Sequence, residues 1–188
     1  MRAVTIEDVG LLHPDIIRHN NNVSQISAMI AEELKLDTLE ISITRCAAIY
    51  HDIGKGLINQ NVLYKKGKLT TKEFDIIKKH VILGANFVKK NRHLKQFSKL
   101  ILLHHENYDG SGYFNICGES IPLASRIIRA ADYLDALCQD RPYRAAIPLH
   151  QAVQLLTENK QVFDPKIFEA LCNIINSIEL SSIYKKQR

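Results

Sequence analysis

Five of the eight histidines, His19, His51, His80, His104 and His105, stand in company that suits a metal ion. His51 is followed directly by Asp52, and Asp132 sits among Ala130, Ala131, Leu134 and Ala136. Imidazoles and carboxylates are the donors that Fe, Mn, Zn and Ni sites use, and a carboxylate has two oxygens with which to bridge two ions. Ions held in this way can lower the pKa of bound water, a step that serves hydrolysis. Taken singly, each residue has a plainer reading. A lone helical histidine is most often a hydrogen-bonded structural residue, and a His-Asp dipeptide arises by chance. Asp132 is harder to explain away, because a carboxylate in so apolar a stretch needs a cation or hydrogen-bond donors.

The elements that must position these residues read as helices. Pro14 suits a first helical turn, and the segment from Asp15 to about Leu34 carries Val23, Ile26, Ile30 and Leu34 at helical spacing. Asp37 can cap a second helix, from Leu39 to about Ile53, that Gly54 stops. The capping box Thr70-x-x-Glu73 opens a third, with Phe74, Ile77, Val81 and Val88 on one stripe. A fourth is expected from about His93 to His105. Residues 106–120, rich in Gly, Asn, Asp and Ser, read as a loop of functional length. Pro122 then opens a helix to about Cys138, Arg141-Pro142-Tyr143 breaks it, Pro148 opens another and Asp164-Pro165 caps the last. The expectation is an all-α, single-domain bundle over residues 1–188, with inward side chains meeting in its core.

Composition agrees with that frame. A chain of 188 residues, 46% hydrophobic and 24% charged, is an ordinary globular domain with enough length for a real core. No apolar run approaches a bilayer-spanning helix, and the start MRAVTIEDVG lacks the regions of a secretion signal, so a cytoplasmic protein without a membrane partner is expected. Cys46, Cys117, Cys138 and Cys172 form no CxxC pair and read as reduced, mostly buried residues. The net charge of +5 is spread over pairs such as Lys65-Lys66, Lys78-Lys79, Lys89-Lys90 and Lys185-Lys186. Dispersed pairs without interleaved aromatics do not make a nucleic-acid face, so no nucleic-acid polymer is expected as a partner. A mild positive field does favour a small phosphate-bearing molecule.

Five words occur in order: Ile49-Tyr50-His51-Asp52-Ile53-Gly54-Lys55, Lys66-Gly67-Lys68-Leu69-Thr70, His104-His105-Glu106-x-Tyr108-Asp109-Gly110-Ser111-Gly112-Tyr113, Ala131-Asp132-x-x-Asp135-Ala136-Leu137 and Asp140-Arg141-Pro142-Tyr143-Arg144. The ordered series resembles the HD-GYP family, a branch of the HD phosphohydrolases, over about residues 13–160.

That resemblance implies an all-α domain holding two or three divalent ions, commonly iron or manganese. It also implies hydrolysis of cyclic di-GMP, a bacterial second messenger, to the linear dinucleotide or on to GMP. By match, His19, His51, Asp52, His80, His104, His105 and Asp132 would be metal ligands, with Asp52 bridging. Asp15 stands where members with a third ion have a glutamate; at i−4 to His19 it shares that helix face, one methylene short. Lys55 would contact the scissile phosphate, where negative charge builds in the transition state. Arg141 and Arg144 would hold substrate phosphates through their bidentate forks. Tyr113 belongs to the Gly-Tyr-Pro signature, but here Phe114 takes the proline's place and removes a conformational lock. Asn20, Asn21 and Asn22 stand where the family has small and basic residues.

Two rival readings are compatible with the same residues. One is a cyclic-dinucleotide effector or adaptor that binds without useful turnover, motivated by the altered signature loop. The other is a hydrolase of a different phosphoester or cyclic dinucleotide. Sensory or signalling partner proteins are further expectations of the resemblance, while metal identity and oligomeric state stay open.

Overall fold

The structure is a computed structural model that describes residues 12–139, 146–175, 180 and 183–184. The described residues form helices joined by turns, with no strand, as expected of an all-α chain. Helix α1 (Pro14–Glu33) starts on His13, whose Nδ1 accepts the Asp15 amide at 3.3 Å, and has its proline in the first turn. Val23, Ile26 and Ile30 point inward and are fully buried, each contributing roughly 1.5–3 kcal/mol. Helix α1 packs on α2 (Thr38–Tyr50), α7 (Leu123–Cys138) and α9 (Pro165–Ile175), and these helices share one apolar core. Asp37 and Glu40 form a full capping box on α2, with the Glu40 amide 2.8 Å from Asp37 Oδ1.

Helix α2 ends at Tyr50, three residues before the expected stop, and the chain then makes a 3₁₀ turn over Ile53–Leu57. The cause is a close approach rather than a simple glycine stop. A Cβ on Gly54 would run into the carbonyl of His80 and come within 2.6 Å of the Gly84 amide. Only glycine lets this turn lie against α5 (His80–Lys89), the packing that brings Asp52 and Lys55 beside His80.

The expected third helix is two helices. After the short α3 (Gln60–Leu63), α4 (Thr71–Lys78) opens on the Thr70/Glu73 capping box, and the chain breaks at Lys79 before α5 begins at His80. Its predicted apolar stripe therefore serves two purposes. Val81 and Val88 are buried in α5, while Phe74 and Ile77 of α4 line a cavity. The expected helix over 93–105 is shorter too: a 3₁₀ turn at Lys95–Phe97 leads into α6 (Ser98–Leu102), which ends ahead of His104. Helix α8 (Leu149–Glu158) and α9 complete the bundle, and Asp164 caps α9 by accepting the Lys166 amide at 2.9 Å. None of the described helices is long and apolar enough to cross a membrane.

Candidate metal centre

His51, His80 and His104 reach the site by one repeated local device. Each follows the end of a helix, and each Nδ1 meets the carbonyl three residues back: Ala48 at 2.6 Å, Ile77 at 2.7 Å and Ile101 at 2.6 Å. A carbonyl only accepts, so Nδ1 carries the proton and Nε2 keeps its lone pair. The stops at Tyr50, Lys78 and Leu102 are thus what turn these three imidazoles toward the core. His19 reaches the same place from within α1, its Nδ1 donating to Asp135 Oδ2 at 2.6 Å.

Asp52 lies at the centre, 1% exposed, with its oxygens facing opposite ways. Oδ1 faces His80 Nε2 at 3.2 Å and His104 Nε2 at 3.9 Å. Oδ2 faces His51 Nε2 at 3.6 Å and His19 Nε2 at 3.7 Å, and also receives the Lys55 ammonium. Two donor groups result, Asp52/His80/His104/His105 and His19/His51/Asp52, with Asp52 common to both. Asp132 flanks them: Oδ1 lies 3.0 Å from His19 Nε2 and Oδ2 lies 3.8 Å from His105 Nδ1.

Cations fit this arrangement, and the protein alone does not satisfy it. His51 Nε2 and Asp52 Oδ1 are buried without a hydrogen bond. His80 Nε2 and His104 Nε2, two lone pairs, face each other at 3.4 Å. Such oriented lone pairs repel unless a positive charge stands among them. Donors about 2.1 Å from a shared ion stand roughly 3–4 Å apart, which is the spacing found here.

The electrostatics follow from burial and crowding. Burial holds His51, His104 and His105 below the ordinary imidazole range, and neighbouring histidines push the same way. Burial acts against charge on His19 too, but the carboxylates of Asp132 and Asp135 outweigh it and carry its pKa to about 9. Burial opposes ionisation of Asp52 and Asp132, yet their cationic and imidazole neighbours hold both well below the usual carboxylate range. Burial, reinforced by Asp132, raises the Tyr113 phenol to about 12, so it stays neutral.

The remaining expected residues divide. Lys55 reaches into the cluster and borders both adjoining cavities, of about 270 and 350 Å³. Tyr113 lines the larger one, its ring 4.8 Å from that of His105. Asp15 lines the smaller one but stands apart from both donor groups; it is exposed and pairs with Arg18 at 2.8 Å. Arg141 and Arg144 lie outside the described residues.

Several residues that hold the cluster, its loop and its cavity have no role assigned from the sequence. Asp135 is fully buried and holds the His19 ring while receiving Asn22 Nδ2 at 3.0 Å and Gln139 Nε2 at 2.7 Å. Its signal was the same as that of Asp132, a carboxylate in an apolar helix. Two of the three asparagines are tethers: besides Asn22 on Asp135, Asn20 donates to the Ile49 carbonyl at 3.0 Å. Glu106, 1% exposed, accepts the amides of Phe114 at 2.9 Å and Ile116 at 2.8 Å. The loop without its proline is therefore held by hydrogen bonds, one of them to an N–H that proline lacks. Arg129, unmarked by any motif, projects into the larger cavity.

A model of the HD domain matches residues 6–167. The cyclic di-GMP phosphodiesterase response regulator RpfG of Xanthomonas campestris is 39% identical over 153 residues, 79% of this chain and 40% of that protein. The 3'3'-cGAMP-specific phosphodiesterase 3 of Vibrio cholerae is 35% identical over 160 residues, 84% of this chain and 35% of its own length. The chain thus spans less than half the length of these relatives. Among solved structures, an HDG"Y"P protein from Bdellovibrio bacteriovorus superposes with a TM-score of 0.71 at 20% identity, covering 92% of this chain and 57% of that one, a likeness of fold. The chain belongs to the HD domain family and, within it, to the HD-GYP branch.

Proposed function

We propose that this chain is a metal-dependent phosphodiesterase that hydrolyses cyclic di-GMP to the linear dinucleotide or on to GMP, acting in the cytoplasm. The observation that carries this reading is Asp52, whose two oxygens each face a separate group of imidazole nitrogens. A carboxylate so placed can hold two ions at once. Iron or manganese suits a donor set of five histidines and two carboxylates without thiolates. Such ions, when bound, acidify a water molecule and offset charge on the phosphoryl oxygens.

The chain's own residues supply the rest. His19, His51, His80, His104, His105 and Asp132 complete the ligand set, and a third ion would draw Asp15 away from Arg18. Lys55, at the border of both cavities, can leave Asp52 for a phosphoryl oxygen as charge develops there. Tyr113 offers a neutral hydroxyl and a ring face in the larger cavity. Arg141 and Arg144 belong to this proposal as holders of the second phosphate.

The test is turnover of cyclic di-GMP by anaerobically purified protein with Mn²⁺ or Fe²⁺, beside His51→Ala and Asp52→Ala. Metal-dependent hydrolysis that both substitutions abolish is the expected result. Full activity in either variant would overturn the assignment. Metal bound with no turnover would favour an effector that binds the dinucleotide. The cGAMP specificity of one relative supports a second reading, in which 3'3'-cGAMP is the better substrate; parallel assays decide it.

A further inference from the structure

Arg129 is a half-buried cation that the metal centre does not use. It lies one helical turn before Asp132 on α7 and projects into the cavity of about 350 Å³ shared with Lys55, His105, Tyr113 and Tyr133. Its Nε donates to Asn107 Oδ1 at 2.8 Å. Asn107 is held in turn, donating to Ser111 Oγ at 2.8 Å, and Ser111 donates to Asp109 at 2.6 Å. The guanidinium lies 5.3 Å above the ring of Tyr133. No carboxylate among the described residues forms an ion pair with it. One edge of the fork is thus anchored and one face stacked, leaving the two terminal nitrogens as parallel donors.

Resting on the phosphodiesterase reading above, we infer that Arg129 determines specificity by reading a guanine base in this cavity. A pair of parallel donors matches the O6 and N7 acceptors of guanine. Adenine presents an amino group in place of O6, so one donor would face another donor. The rings of Tyr113, Tyr133 and His105 are flat π surfaces on which a base can stack, and a phosphate would gain nothing from them. Lys55, beside Asp52, is the cation nearer the reacting phosphate. Because the Asp109–Ser111–Asn107 relay already orients the guanidinium, little rotamer freedom is left to lose on binding.

The experiment uses GMP and AMP as probes, titrated into the Mn²⁺-loaded protein and its Arg129→Ala and Arg129→Lys variants, so that it does not depend on turnover. The wild type is expected to favour GMP. R129A should weaken GMP roughly tenfold to a hundredfold and leave AMP unchanged. R129K keeps the charge but lacks the fork, so it should lose the preference as well. Equal weakening of GMP and AMP would assign Arg129 to a phosphate and overturn the inference, as would undiminished GMP binding in R129A. Cyclic di-GMP hydrolysis is measured alongside. Turnover without base preference leaves the phosphodiesterase standing and removes the base reader; base preference lost in R129A without turnover in the wild type does the reverse.

Discussion

At the scale of single residues, the centre depends on groups that never touch a metal. Asp135 fixes the His19 ring by accepting from Nδ1 at 2.6 Å, so Nε2 has only one direction. Carboxylates behind a ligating imidazole typically govern metal affinity by about tenfold to a hundredfold. Asp135→Asn is therefore expected to weaken Mn²⁺ binding by roughly that factor while the helix content stays unchanged. Competition against a fluorescent chelator reads this directly, and wild-type affinity in the variant would show the contact to be incidental. Asn22→Ala should act in the same direction and more weakly, since Gln139 still donates to Asp135.

At the scale of elements, two close approaches set the site. Gly54 lets the 3₁₀ turn touch the backbone of α5, and Gly112 lets the signature loop touch residues 105–107, where a Cβ would come within 2.7 Å of the Asn107 amide. Gly54→Ala has no flexible neighbour to displace, because the atoms in its way are backbone. It is expected to cost roughly 1–3 kcal/mol or more and to move Asp52 and Lys55 off the cluster. Urea unfolding and metal titration of the same sample check both parts; an unchanged midpoint would contradict the packing. The loop rests on Glu106. Glu106→Ala deletes the acceptor for two amides and should cost about 2–3 kcal/mol while loosening Tyr113 and Asn107. Limited proteolysis between residues 107 and 118 should accelerate, and protection equal to wild type would count against this anchor.

For the whole molecule, metal binding and folding are linked. Histidines held neutral by burial stabilise the fold above pH 6.5, and that contribution disappears as pH falls and the unfolded chain takes up protons; His51, His104 and His105 are of this kind. His19 has the opposite sign. Its pKa rises from 6.5 to about 9, so its contribution is complete below 6.5 and is lost as pH climbs through 9. The metal-free protein should accordingly show its highest Tm near pH 6.5. Saturating Mn²⁺ should move that optimum upward, because ligating imidazoles must be neutral. At a hundredfold excess over Kd the ion adds about 2.7 kcal/mol, roughly 5–10 °C in Tm. Thermal scans with and without EDTA across this range test it, and a metal-free Tm still rising at pH 8 would refute the account of His19.

The donor types, their order along the chain and the helical character of the elements were legible in the sequence, because they depend on residue chemistry and local periodicity. The caps at Asp37 and Thr70 and the inward stripe of Val23, Ile26 and Ile30 are of this kind. The breaks that aim the imidazoles were not legible. Propensity favours continuing through Lys79 and up to His104, and only packing against neighbouring helices makes stopping there the better outcome. The partners of Asp135 and Glu106, both of which stand in the motif words, and the placement of Arg129 were not legible either. Asp135 meets His19 across 116 positions of chain, and Arg129 meets Asn107 across 22. Contacts of that length leave no periodic trace in a single sequence. The tertiary structure alone decided which carboxylate fixes the His19 ring, which one ties down the loop and which cation borders the larger cavity.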